Sequence, residues 1–238
     1  MRILWIKMGG LWPLNTGGRQ RTFHILSALS QHHDVVLVTT TGADDDVEGL
    51  RAHLTECAII ARPYAVPKYG SARFVGAVAR SWASPWPADL WKWRVRALRR
   101  EIAALVERDP FDVIVADFMF AMPNVPIASP APVVLFAHNV EHLIWKRLHD
   151  VEPYRWRRAL LAIEWRKMRR AEAAAVRRTA ATIAVSEADR DALRACAPAA
   201  DVMAIPTGVD VEYFRPAARE DPNRLVFSGS MEDRKSVV

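Results

Sequence analysis

Ile3-Leu4-Trp5-Ile6-Lys7-Met8, a loop closing on Asn15-Thr16-Gly17-Gly18, an amphipathic stretch over 19–31, and the run Asp34-Val35-Val36-Leu37-Val38-Thr39-Thr40 decide the fold. In 19–31, Phe23, Leu26, Ala28 and Leu29 fall near helical spacing, so a helix follows the glycine loop. The valine-dense run suits a strand buried on both faces. Strand, glycine loop, helix, strand is a βαβ unit.

The alternation continues outward from that unit. Short apolar runs at 58–61, 111–116, 132–137, 182–185 and 202–205 read as strands. Between them, 89–108, 141–148, 154–178 and a segment opening at Ser186 read as helices, the first stopping before Asp109-Pro110 because proline disfavours helix in the residue ahead of it. The expected fold class is α/β, a Rossmann-like parallel sheet with helices on both faces. Sites in such sheets lie at the carboxyl ends of strands. That rule selects Gly17-Gly18, Asp117, His138-Asn139, Ser186-Glu187 and Pro206-Thr207-Gly208. Beyond a proline- and charge-rich linker at 213–223, residues 224–228 read as one more strand with no helix after it to cover it. A lone strand forms no core, so a second domain is expected to begin there and to be missing.

With 238 residues, 51% of them hydrophobic, the chain can bury a substantial core. The formal charge of +6 calls for an anionic partner, whether nucleic acid, lipid headgroups or a phosphorylated substrate. Cys57 and Cys196 have no metal or redox spacing, and a reducing cytoplasm is the simplest reading. The start is too briefly apolar for a signal peptide, and no run approaches the roughly 18 apolar residues of a membrane span.

Several motifs carry two readings. Gly17-Gly18 opens a helix whose free N–H groups suit a phosphate or carboxylate, or it is simply a tight turn; it is neither GxGxxG nor a Walker A loop. His138 follows a strand directly and is placed to act as a general base or a hydrogen-bond donor, or to cap the next helix. Ser186, with Glu187, Asp189 and Asp191 behind it, reads as a helix cap, and no GxSxG surrounds it. Asp109, Asp112 and Asp117 lack the spacing of a cation loop, so no metal is expected. Tryptophans interleaved with arginines at 91–96, 154–158 and 165–170 fit a membrane-surface helix, a nucleic-acid binder or, more plainly, an amphipathic helix with its tryptophans inward.

Taken in order, four pieces resemble the amino-terminal domain of family 4 glycosyltransferases: Asn15-Thr16-Gly17-Gly18 before a helix, Ala137-His138-Asn139-Val140-Glu141, Ala184-Val185-Ser186-Glu187, and Ile205-Pro206-Thr207-Gly208-Val209-Asp210 with Phe214 and Pro216 beyond. The resemblance spans nearly the whole chain and implies the amino-terminal half of a GT-B fold. It divides the chain into an acceptor-side domain at 1–212, an interdomain linker at 213–223, and the first strand of a donor-binding domain at 224–238. It implies retaining transfer from a nucleotide-diphosphate sugar to a hydroxyl of a sugar or lipid-linked acceptor, as in bacterial exopolysaccharide synthesis, without a cofactor or an obligatory metal. His138 is the implied catalytic residue; Gly17, Gly18, Arg19, Asn139, Glu141, Ser186, Gly208 and Asp210 are the implied substrate and phosphate contacts. The donor's main binding residues would lie in the missing half, so the chain alone is expected to be inactive. A cytoplasmic protein, peripheral at the inner face of an anionic membrane through its Trp/Arg helices, is expected, and nucleic acid is not. The alternative is an acceptor- or membrane-binding module that acts without catalysis.

Overall fold

The computed structural model describes residues 1–68, 70–212 and 215. Its strands are β1 (Arg2–Lys7), β2 (Asp34–Thr41), β3 (Cys57–Pro63), β4 (Val113–Asp117), β5 (Val133–Ala137), β6 (Ala181–Ala184) and β7 (Val202–Ala204). They pair in parallel throughout, in the order β3-β2-β1-β4-β5-β6-β7. The expected strand at 224–228, and the linker at 213–223 apart from residue 215, lie outside the described residues.

Side chains alternate across each strand, and the two faces carry separate cores. Leu4, Ile6, Val36, Val38, Ile114 and Leu135 face one way, against Leu98 and Ile102 of helix α5 (Arg96–Arg108), Met168 of α7 (Arg155–Arg178) and Leu193 of α8 (Glu187–Cys196). Ile3, Trp5, Val35, Leu37, Val115 and Phe136 face the other, against Leu26 of α1 (Gly17–Ser30) and Leu50 of α2 (Val47–His53). Helices therefore cover both faces, as the Rossmann-like reading requires.

Two differences from the expected elements stand out. The helix expected over 89–108 is two pieces, α4 (Ala88–Trp91) and α5. Asn124 holds the break open: its Oδ1 accepts from the Val95 N–H at 3.0 Å and its Nδ2 donates to the Trp93 carbonyl at 2.8 Å. Two helices, α2 and α3 (Ala72–Trp82), fall where no helix was expected. Helix α6 (Glu141–Val151), expected over 141–148, forms a hairpin with α7: Glu172 meets the start of α6, whereas Trp165 meets His149 near its end, so the two run antiparallel. At 24 residues, α7 is about 36 Å long, roughly twice the length of a five-residue strand. It ends just ahead of β6, so the hairpin tip projects past the carboxyl ends of the strands.

Candidate active site at the switch point of the sheet

The strand order reverses between β1 and β4, and a parallel sheet opens a crevice at such a point. Lys7 closes β1 and Asp117 closes β4, directly opposite each other in the register. Asp117 is fully buried, and four side chains meet its carboxylate. Oδ2 accepts from Thr22 Oγ1 at 2.6 Å, Trp5 Nε1 at 3.0 Å and Lys7 Nζ at 3.3 Å, while Oδ1 faces His138 Nε2 at 2.7 Å. Burial pushes the Asp117 pKa up, but the Lys7 charge and the hydrogen bonds from His138 and Thr22 outweigh it and hold the carboxyl well below the usual range. An ionised carboxylate only accepts, so Nε2 of His138 carries the hydrogen.

His138 stands one residue beyond β5. Its ring lies face to face on Phe118, with centroids 3.7 Å apart and planes 3° from parallel, and it tilts against Phe136 at 4.4 Å. Burial lowers its pKa below the ordinary 6.5, and Asp117 only partly restores it. At neutral pH the ring is uncharged, with Nε2–H donated to Asp117. Nδ1 has no hydrogen bond among the described residues, so its lone pair is free to accept one. The strand-end segment is fixed from below by Glu172. That carboxylate accepts from the Glu141 and His142 N–H groups at 2.8 and 3.2 Å and from His142 Nδ1 at 2.5 Å, capping a helix whose own N-cap, Val140, has no side-chain acceptor.

The glycine loop meets this stack. Phe118 adopts φ = 67°, an uncommon conformation for a residue with a side chain, and its ring points at the first turn of α1. A Cβ on Gly18 would lie 2.9 Å from Phe118 Cζ, so only glycine lets the helix approach so closely. Gly17 has open space in front of it. Neither of these two N–H groups has a partner inside the helix, as at any helix start. Arg21, one turn on, stacks on Phe136 at 4.7 Å and donates to the Ile205 carbonyl at 2.8 Å, tying α1 to the segment after β7. Two buried or half-buried cations, Lys7 and Arg21, thus face one carboxylate, and the helix start adds further positive potential.

The remaining expected contacts are distributed unevenly. The Arg19 guanidinium is already engaged by Asp45 at 2.6 Å and the Pro13 carbonyl at 3.2 Å. Ser186 Oγ accepts from the Asp189 N–H at 3.1 Å and donates to its carboxylate at 2.8 Å, the capping arrangement the sequence favoured. Asn139 Nδ2 reaches Glu141 Oε1 at 3.4 Å, and Glu141 is buried. Gly208 and Asp210 are exposed, with the Asp210 carboxylate accepting from the Glu212 N–H at 3.0 Å. Lys7, Thr22, Trp5 and Phe118 escaped the sequence reading. Lys7 sits inside an apolar run, and only its place as the last residue of a strand marks it. Among the described residues, no group of three or more His, Cys, Asp and Glu is placed to hold a metal ion.

Together, the sheet order and a candidate site at its switch point define a Rossmann-like α/β domain. Two solved structures of HepE from Anabaena share the fold at 15% identity: the complex with UDP and glucose (TM-score 0.51) and the complex with UDP-glucose (TM-score 0.50). Each match covers 92% of this chain and 47% of that one, so the chain spans about half the length of these structures. No curated protein matches. The profile of Glycosyltransferase Family 4 matches residues 16–213, and the chain belongs to that family.

Proposed function

We propose that the cluster around His138 is the acceptor-side wall of a retaining, nucleotide-sugar-dependent transfer site, which moves a hexose to a hydroxyl acceptor in glycan or exopolysaccharide synthesis. The observation that carries this reading is the convergence, at the switch point, of a neutral histidine with a free Nδ1 and a helix start with open N–H groups. The Gly17 and Gly18 N–H groups, in the field of Lys7 and Arg21, suit the charge that develops on a leaving diphosphate; such preorganised donors commonly supply the largest share of rate. Nδ1 of His138 accepts from a substrate hydroxyl, and Asp117 holds the ring in the tautomer that makes this possible. Asn139, Gly208 and Asp210 border the same strand ends, and the side chains of Arg19, Glu141 and Ser186 support the wall through their local bonds. The bound UDP-glucose of HepE supports a nucleotide-diphosphate sugar as donor substrate, with no separate cofactor. In this reading 1–212 is the acceptor-side domain, 213–223 the linker and 224 onward the start of the donor-binding domain.

Calorimetric titration of the chain with UDP-glucose, and separately with NAD, tests the reading. The expected result is preference for UDP-glucose and an affinity about tenfold lower in His138→Ala, the scale of one hydrogen bond to a polar ligand. Equal binding of NAD, or UDP-glucose binding untouched by His138→Ala, would overturn it.

A second reading, membrane docking at an inner leaflet, rests on the α6–α7 hairpin tip. Trp156 is 63% exposed and Tyr154 58%, with Val151, Leu160 and Ile163 also at the surface. Arg157 lies over both aromatic rings at 5.1 Å. Exposed aromatics among arginines suit an anionic lipid interface, whether for a lipid-linked acceptor or for a binding module without catalysis. No helix among the described residues is long and apolar enough to cross a membrane.

A further inference from the structure

A second concavity, sharing no lining residue with the His138 cluster, opens between α7 and the connection from α3 to α4. Its volume is about 450 Å³, within the range of small-molecule sites. The wall is apolar: Pro85 and Trp86 on one side, Ala171, Ala174 and Ala175 on the other, and Met122 at the base. Met122 and Ala175 belong to the core beneath the sheet, so the cavity reaches the interior. Hydrogen bonds hold the walls together. Lys167 Nζ donates to the Ser81 carbonyl at 2.8 Å, Glu164 Oε2 accepts from the Ala88 N–H at 2.7 Å, and Ser81 Oγ donates to the Trp86 carbonyl at 3.0 Å.

The rim has one sign of charge. Lys167, Arg170 and Arg178 line the opening, and no carboxylate does. Glu164, 4.0 Å from Lys167 Nζ, partly compensates that lysine. Arg170 and Arg178 have no ion pair or hydrogen bond among the described residues. Burial lowers the Arg178 pKa with no acid to offset it. An apolar slot lined along α7 by two guanidiniums without ion pairs, Arg170 and Arg178 to either side of Ala171, Ala174 and Ala175, has the complement of a hydrocarbon chain with an acidic head.

We propose that this cavity binds a single-chain anionic lipid, its hydrocarbon chain against Trp86 and Met122 and its phosphate head on Arg170 and Arg178. The site is independent of the transfer reading and of the hairpin tip. Guanidinium and phosphate pair in a planar, two-bond geometry that lysine cannot copy.

The test is calorimetry on the whole chain with alkyl phosphates of six, eight and ten carbons, below their micelle thresholds, beside decyl maltoside and inorganic phosphate. The expected result is one saturable site for decyl phosphate, tightening about fourfold per added methylene. Binding should be about tenfold weaker in Arg178→Gln and lost in Ala174→Phe, which fills the slot from an exposed helix position. Inorganic phosphate, lacking the chain, should show no saturable binding. Circular dichroism confirms that each variant folds. Equal binding of decyl maltoside, no dependence on chain length, or unchanged binding in both variants would overturn the proposal. So would binding to anionic vesicles alone with none to monomeric decyl phosphate, which would assign the basic face of α7 to a membrane surface.

Discussion

Asp117 is the residue on which the site turns, because four donors from β1, α1 and the end of β5 converge on its two oxygens. Replacing it with asparagine strands Lys7 in a dry environment, and breaking a buried charge pair costs about 3 to 5 kcal/mol; urea unfolding of Asp117→Asn should show a loss of that size. The pH dependence follows from the same contacts. His138 and Asp117 both hold fewer protons folded than unfolded, so stability rises with pH. It is complete above their ordinary values of 6.5 and 3.8 and falls away as acid titrates first the histidine and then the carboxyl. Urea midpoints measured against pH should lose the lower, carboxyl step in Asp117→Asn. Gly18→Ala places a methyl against the Phe118 ring and should cost about 1 to 3 kcal/mol by overpacking, read from the same unfolding curves; an unchanged midpoint would contradict the close approach. Asp117 and His138 were visible in the sequence because each directly follows an apolar run that reads as a strand. Lys7 was not, since a strand-end cation looks like any interruption of an apolar run until its parallel neighbour is known. Phe118 carried no signal, because its left-handed backbone is a product of packing.

At the scale of elements, strands were legible and some helices were not. Valine-rich runs buried on both faces announce themselves, whereas α3 is a short amphipathic helix that buries only Ala77 and Ser81 and lies in a stretch punctuated by proline, glycine and serine on both sides. The break between α4 and α5 was invisible for another reason: its cause, Asn124, lies roughly thirty residues away in the chain. Asn124→Ala leaves the Val95 N–H and Trp93 carbonyl without partners and should destabilise the fold by about 1 to 3 kcal/mol, measured by denaturant unfolding. The tryptophan and arginine segments differ in how their tryptophans are placed. Trp93 packs on the core, while Trp156 stands at the hairpin tip. Trp156→Ser should therefore change stability by no more than about 0.5 kcal/mol and yet reduce sedimentation with anionic vesicles; equal sedimentation with neutral and anionic vesicles would end the docking reading.

At the scale of the molecule, one sheet organises everything described. Its order puts β1 beside β4, so the glycine loop after β1, the acid of β4 and the histidine after β5 meet at one crevice although more than a hundred residues separate the first from the last. The strand-end rule picked out Gly17-Gly18, Asp117 and His138 one by one; composition and charge alone pointed only to some anionic partner. The basic face of α7 shows why they could not choose, since it adds to the same net charge a second set of cations outside the crevice. The most direct measurement is a nitrogen-15 NMR titration of the chain with UDP-glucose, following the Gly17 and Gly18 amides and the His138 ring nitrogens. All three residues should shift together and saturably, with Nδ1 of His138 moving more than Nε2. Saturable binding that leaves these signals in place, or shifts confined to other strands of the sheet, would contradict it.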